Sequence, residues 1–418
     1  MELLYILLVL LIVTRLFGEI FARLSQPVLA GELLSGVILG VIVKNNERWF
    51  PILSDLSENQ IFEAVTDLGI FFLMLLAGIE MRPRDLAQTS GSALIVALGG
   101  MLFPMTLGMG LGYFSLPDSD WKTAQMFFLG VALSITAVPI TIATLMELGQ
   151  QHSRLGRMII SAAVFDDIFS LFLLAVLTSL LNQTGGLTPG SFGILTGKII
   201  LFFIITLVAG RWLFPWLNRI AHKHLQTKHV EFTMLMTSAL AFSVLAEMLE
   251  MHFILGAFTA GLFFTRQSIE ETLHRDVHVQ VEAITLGFFA PLFFASIGLS
   301  INLDAITATP VFLFLLILTA FIGKMLGAGL AAKLCGLPRT EALAVGIGMN
   351  ARGAVELIVA DIAWNAGLFN YPEPAPPVVS NLFSSVVLMA ILATILSPMA
   401  LRLILSQTGS NNAAYSKE

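Results

Sequence analysis

The stretch LAVGIGMNARGAVELIVADIA, residues 343–363, is long and apolar enough to cross a membrane, yet it does not read as one unbroken helix. Gly346, Gly348, Asn350, Arg352 and Gly353 interrupt its apolar run. Each glycine weakens a helix interior by about 1 kcal/mol relative to alanine. An arginine at bilayer depth costs about 2.5–3.5 kcal/mol even on the lenient insertion scale. A second interrupted stretch, FFLGVALSITAVPITIATLMELG, residues 127–149, carries Pro139 at mid-span with Ser134, Thr136 and Thr141 around it. Proline removes one backbone hydrogen bond and clashes with the preceding turn. Backbone groups freed at membrane depth are tolerated only where they are buried in protein or line a cavity. Taken singly, each interruption is an ordinary kink. Taken together, the two describe something more specific.

Composition sets the class. The chain has 418 residues, is 56% hydrophobic and only 12% charged, against about 25% charged in soluble domains. Its mean hydropathy is +0.87. So much apolar surface implies a polytopic membrane protein, and the long continuous apolar runs exclude the alternating pattern of a barrel. Cys335, the one cysteine, excludes an intrachain disulfide and a cysteine-based metal cluster, and reads as a small packing residue. The N-terminus MELLYILLVLLIVTRLF lacks a basic leader region and a small-residue cleavage site, so it reads as the first span. No HExxH, GxSxG or nucleotide-binding loop is present, so the chain is not expected to be an enzyme or to need an organic cofactor. A −6 net charge says little about partners. Nucleic acid is not among those expected.

A hydropathy walk predicts thirteen spans, near 3–22, 28–43, 62–80, 91–114, 122–148, 155–181, 192–218, 230–250, 252–267, 281–299, 309–335, 340–366 and 376–407. Of the 22 Lys and Arg, Arg15, Arg211, Lys324 and Arg352 are set within spans, and the other eighteen, toward or beyond span ends and counted on alternating sides, divide fourteen to four. The majority side includes Arg82, Arg84, Arg154, Arg157, Arg219 and Lys223, and the minority is Lys44, Arg48, Lys122 and Lys198. The positive-inside rule then predicts the N-terminus outside and the C-terminus in the cytoplasm of a cell (inner) membrane. Merging spans eight and nine across Glu247–His252 would scramble that alternation. The two interrupted segments are spans five and twelve. An odd offset of seven makes them antiparallel, the signature of inverted repeats that meet at two crossing broken helices. Glycines in 98–114 and the small residues of GKMLGAGLAA, 323–332, suit close helix packing.

Crossing broken helices bring partially charged helix ends together, which calls for buried compensation. Span six, GRMIISAAVFDDIFSLFLLAVL, residues 156–177, carries Asp166 and Asp167. Span eleven carries Lys324 at its middle. Adjacent helical residues point about 100° apart. The two aspartates therefore cannot both face one small partner. One is expected to meet Lys324 and the other to face a water-filled cavity, a site for a proton or a small cation.

Other polar residues carry weaker readings. Arg352 and Glu356, four apart, pair with each other or brace the broken fifth span. Glu80 beside Arg82 and Arg84 reads as a surface ion pair. His222, His224 and His229 fall in one predicted cytoplasmic loop, either solvated or pH-sensing. His252 reads as structural.

The block TAVPITIATLMELG…GRMIISAAVFDDIFSL resembles the paired fifth and sixth spans of the monovalent cation:proton antiporters of the CPA2 group. GMNARGAVELIVA, 348–360, resembles their penultimate broken helix. Lys324 in FIGKMLG matches the family lysine, and FLMLLAGIEMRPRDL, 72–86, the end of an early span. The likeness runs over essentially the whole chain. It implies an all-α Na+/H+ antiporter-type fold and a homodimer. Residues 1–90 (helices 1–3) and 230–300 (helices 8–10) would form the dimerisation scaffold. Residues 91–181 (helices 4–6) and 301–407 (helices 11–13) would form the core, with 182–229 (helix 7) as linker and 408–418 as a cytoplasmic tail. It further implies that Asp167 binds the cation, that Asp166 pairs with Lys324, that Thr136 adds an oxygen ligand, and that exchange is electrogenic. Ala137 departs from the aspartate many relatives carry there. The expected partners are lipid, a second copy and small inorganic cations. The expected activity is exchange of Na+ (or K+ or Li+) for protons. The alternatives are a K+/H+ exchanger of the same family, an organic-anion symporter of similar architecture, or a channel.

Overall fold

The computed structural model describes residues 2–24, 26–45, 60–80, 91–137, 140–141, 144–145, 148, 150, 153–181, 189–213, 230–249, 251–264 and 271–415. Those residues form helices joined by turns and short irregular segments, with no strand among them. In chain order the helices are α1 (Glu2–Arg23), α2 (Val28–Asn45), α3 (Gln60–Glu80), α4 (Gly91–Ser115), α5 (Lys122–Ser134), α6 (Arg154–Leu181) and α7 (Pro189–Val208, ending in a π-helical turn). They continue with α8 (Val230–Met248) and α9 (Ile254–Phe263). The tenth, α10, is composite: Glu271–Ile284, a π-helical turn Thr285–Phe289, then Ala290–Leu299. After it come α11 (Pro310–Leu334), α12 in two halves (α12a, Arg339–Gly348, and α12b, Ala354–Asn365) and α13 (Leu382–Tyr415). Eight of these helical runs are long and apolar enough on their own to cross a membrane.

Helices α1, α2, α3, α8, α9 and α10 pack mainly on one another, and α4, α5, α6, α11, α12 and α13 do the same. Lipid offers no hydrophobic drive for helix association, so contact depends on backbones approaching closely at small residues. Two crossings show this with the same chemistry. Gly78 of α3 faces Gly261 of α9, and Gly298 of α10 faces Gly36 of α2. A methyl at any of the four would strike the backbone of the opposing helix. An offset of seven elements carries α3 onto α10 and α2 onto α9, so the two crossings are one contact used twice. Such a pairing is what an inverted repeat requires.

Several boundaries differ from the hydropathy walk. The fifth span, expected over 122–148 with its interruption at Pro139, ends as a regular helix at Ser134. That is five residues before Pro139, which lies outside the described residues. The last helix was expected to stop near 407, with 408–418 as a tail. Instead it runs on to Tyr415. The apolar window closes where the lipid-facing composition closes, but helical hydrogen bonding does not need apolar side chains to continue. Arg82, Arg84, Arg219, Lys223, His222, His224 and His229 also lie outside the described residues.

Candidate functional site

The site is built where α5 and α12 unwind against each other. Residues 135–137 leave α5 without regular helical structure, and Ile135 is extended, at φ −70° and ψ 147°. Residues 349–353, a turn and then three residues without regular structure, separate α12a from α12b. The two segments are joined directly, Ala137 N–H donating to Ala351 C=O at 2.7 Å. Gly353 allows the approach. A Cβ there would stand 2.6 Å from the Ala137 methyl, well inside van der Waals contact. Gly353→Ala is therefore expected to lower stability by about 1–3 kcal/mol through overpacking, read as a lower melting temperature of the purified protein. Gly353→Ala together with Ala137→Gly should recover part of the loss.

Three helix ends meet at this crossing among the described residues, and each has an assigned partner. A helix terminus leaves its last carbonyls unpaired and carries partial negative charge. At the end of α5 the fully buried Arg352 donates to Ala132 C=O (2.7 Å), Leu133 C=O (2.8 Å) and Ile135 C=O (2.8 Å). One guanidinium thus supplies both donors and the compensating charge. At the end of α12a the hydroxyls of Thr141 and Thr136 donate to Gly348 C=O (2.7 Å) and Met349 C=O (2.9 Å). At the start of α12b sits Glu356, a buried carboxylate in the first turn, where the helix dipole favours negative charge. Its separation from Arg352 is 3.6 Å, and among the described residues neither of its oxygens has a hydrogen-bond partner. Of the two readings for Arg352, bracing α5 takes its hydrogen bonds, and Glu356 contributes charge rather than a bond.

Lys324 and Asp166 are both fully buried, 3.3 Å apart. The ammonium also donates to Thr136 Oγ1 at 2.6 Å. Thr136 thus links Lys324 to the carbonyl end of α12a. Asp167, the next residue on α6, is half-buried and has no hydrogen bond or ion pair among the described residues. Adjacent helix positions have separated the pair: one carboxylate faces the lysine, the other faces partly accessible space. Among the described residues no three His, Cys, Asp or Glu side chains converge on one point. A cation at Asp167 would meet a carboxylate, with hydroxyls, backbone carbonyls and water as the other donors the crossing offers. All are hard oxygen ligands, the kind that suit hard cations rather than transition metals.

Sequence reasoning passed over one buried acid, Glu32 in α2, only 4% exposed. Arg15 of α1 approaches it at 4.0 Å and donates to Leu286 C=O in the π-helical turn of α10. An acid inside the apolar run VLAGELLSGVILG was the available signal. Glu80 is exposed, and among the described residues His278 and Glu282 lie near it; Arg82 and Arg84, its expected partners, lie outside them. His252 packs against Phe253, ring centroids 4.5 Å apart. Cys335 is a free thiol donating to Ser92 C=O at 3.7 Å, a packing contact between α11 and α4.

The family model described as "Sodium/hydrogen exchanger, transmembrane" matches residues 7–407. The probable Na(+)/H(+) antiporter GerT of Bacillus cereus is 32% identical over 365 residues, 87% of this chain and 91% of the relative. The Na(+)/H(+)-K(+) antiporter GerN of the same organism is 29% identical, covering 94% of this chain and 93% of its own. A Na(+)/H(+) antiporter of Enterococcus hirae is 28% identical, covering 96% and 98%. Among solved structures, the sodium proton antiporter MjNhaP1 of Methanocaldococcus jannaschii superposes with a TM-score of 0.65. It covers 97% of this chain and 99% of its own at 17% identity, a likeness of fold.

Proposed function

The chain belongs to the sodium/hydrogen exchanger family, and from that premise we propose that it is a secondary antiporter exchanging a monovalent cation, Na+ first, for protons by alternating access. The observation that carries this is the half-buried Asp167 beside the fully buried Asp166–Lys324 pair, at a crossing of two unwound helices. A carboxylate at membrane depth that is neither paired nor sealed off is suited to bind a dehydrated cation or a proton, one at a time. Competition for it couples the two fluxes, because an empty, charged core crosses an apolar barrier poorly. Asp167 is assigned as the cation ligand, with Asp166 beside it and Lys324, Arg352 and Glu356 as charge partners. K+ is the second reading. It is favoured by the likeness to GerN, whose name includes K+.

Packing within α1–α3 and α8–α10, and separately within α4–α6 and α11–α13, supports a scaffold of residues 1–90 and 230–300. The core is then 91–181 and 301–407, with 182–229 linking them. The fourteen-to-four bias of Lys and Arg supports thirteen spans, N-terminus outside and C-terminus in the cytoplasm. The scaffold helices α1–α3 and α8–α10 are assigned to homodimerisation in the cell membrane.

The test is transport by purified protein in proteoliposomes, with Na+, K+ and Li+ supplied separately as the outward gradient. Cation-dependent proton movement with Na+ is expected. Its absence for all three ions would end the antiporter reading. With both aspartates taking part, more protons than cations move, so an imposed membrane potential should change the rate and a solid-supported membrane should record current. A rate indifferent to potential would assign the chain to electroneutral exchange.

A further inference from the structure

Two acceptors compete for the Lys324 ammonium, and the neutral one is closer. Thr136 Oγ1 lies 2.6 Å from Nζ, whereas the two Asp166 oxygens lie at 3.4 and 3.3 Å. Hydrogen bonds from an ammonium to a carboxylate normally run at about 2.7–2.9 Å. The contact with Asp166 is therefore long and split between two oxygens, and the short bond goes to the hydroxyl. Thr136 is well made to receive it. Its hydroxyl hydrogen goes to Met349 C=O at 2.9 Å, which polarises the oxygen toward the ammonium. Behind that carbonyl stands the negative end of α12a. The backbone is fixed as well, because the next residue, Ala137, is hydrogen-bonded across the crossing to Ala351. Asp166 lies on a different helix, α6, next to Asp167.

We propose that Thr136 is a positioning residue that holds the Lys324 ammonium, so that the charge of Asp166 stays available to the transported cation bound at Asp167. The inference rests on the antiport reading above. It differs from the role the family likeness implies for Thr136, that of a cation ligand. With its hydrogen given to Met349 and one lone pair to Lys324, the hydroxyl has a single lone pair left. A cation using it would share one oxygen with an ammonium.

The two roles separate in a double-mutant cycle with Lys324. The measurements are KM and kcat for Na+-driven proton flux in proteoliposomes. The proteins are the unmodified chain, Thr136→Val, Thr136→Ser, Lys324→Gln and Thr136→Val with Lys324→Gln. Valine keeps the shape of threonine without the hydroxyl, and serine keeps the hydroxyl. Thr136→Val should raise KM about tenfold or more, since the ammonium then falls fully onto Asp166 and withdraws it from the cation. Thr136→Ser should stay within about twofold of the unmodified protein. In the Lys324→Gln background there is no ammonium to hold, so Thr136→Val should change KM by less than about twofold. An equal rise in both backgrounds would make Thr136 a direct ligand and overturn the proposal. So would an unchanged KM in Thr136→Val, or a loss in Thr136→Ser as large as in Thr136→Val. Where Lys324→Gln fails to insert, Lys324→Met supplies the same arm. Where flux is too slow, the Na+-induced shift in melting temperature replaces KM. An unmodified protein that exchanges no cation for protons fails the antiport reading itself, a result distinct from any of these.

Discussion

Asp167→Asn is expected to reduce cation-driven proton flux to the level of empty vesicles while the protein still inserts and melts as a folded species. The amide has nearly the same shape as the carboxylate, so the packing of α6 is undisturbed. The chemistry is not preserved. An amide neither takes up a proton in the working range nor offers a formal negative charge to an ion that has shed its water. Asp166 cannot substitute for it, because that side chain is fully buried against Lys324 and Asp167 is the carboxylate with partial access. Stability should hold or rise, since the change removes a negative charge adjacent to another. The measurement is Na+-, K+- and Li+-driven flux, paired with thermal melting and size-exclusion chromatography of the same preparation. Substantial cation-dependent flux in a folded Asp167→Asn protein would place the ion site elsewhere.

The two broken helices were legible because their residues violate what a membrane span tolerates. Gly348, Asn350, Arg352 and Gly353 in one apolar run, and Pro139 in another, are costly unless the chain unwinds there. Asp166, Asp167 and Lys324 were legible for the same reason: charge at membrane depth needs a partner. What was not legible is where each group's hydrogen bonds go. The partners of Arg352 are carbonyls some 220 positions away in sequence. Backbone oxygens carry no residue-type signal, so the local choice, Glu356 one turn on, looked equally good. The end of α5 was misplaced toward Pro139 because proline is visible in sequence. The cause visible in the structure, Arg352 taking the carbonyls of Ala132, Leu133 and Ile135, is not. Arg15 and Glu32 were each readable as a charge in an apolar run, but their meeting depends on how α1 crosses α2, which hydropathy does not encode. The π-helical turn that presents Leu286 C=O to Arg15 has no sequence marker at all.

Lys324 and Asp166 give the second large effect, and it concerns stability before transport. Both side chains are fully buried, and their contact at 3.3 Å is longer than a strong charge-assisted bond. The length does not make the pair dispensable. The cost of removing one partner comes mainly from stranding the other charge in a medium that solvates it poorly, and that cost depends on burial rather than on bond length. Lys324→Gln and Asp166→Asn should each lower stability by about 3–5 kcal/mol, the usual penalty for half of a buried pair. Asp166→Asn should be the milder, because Thr136 Oγ1 at 2.6 Å still receives the ammonium. Lys324→Gln leaves the Asp166 carboxylate beside Asp167 with no cation against it. The double variant carries neither charge and should recover several kcal/mol relative to the sum of the single losses. It should also move one cation per proton, since Asp167 alone is then exchanged, and so be indifferent to membrane potential. Thermal melting of the four proteins closes the cycle. Losses that simply add would mean that Lys324 and Asp166 do not stabilise each other. The ammonium would then be held by Thr136 and the end of α12a alone, and the charge arrangement assigned to the core would have to be redrawn around that contact.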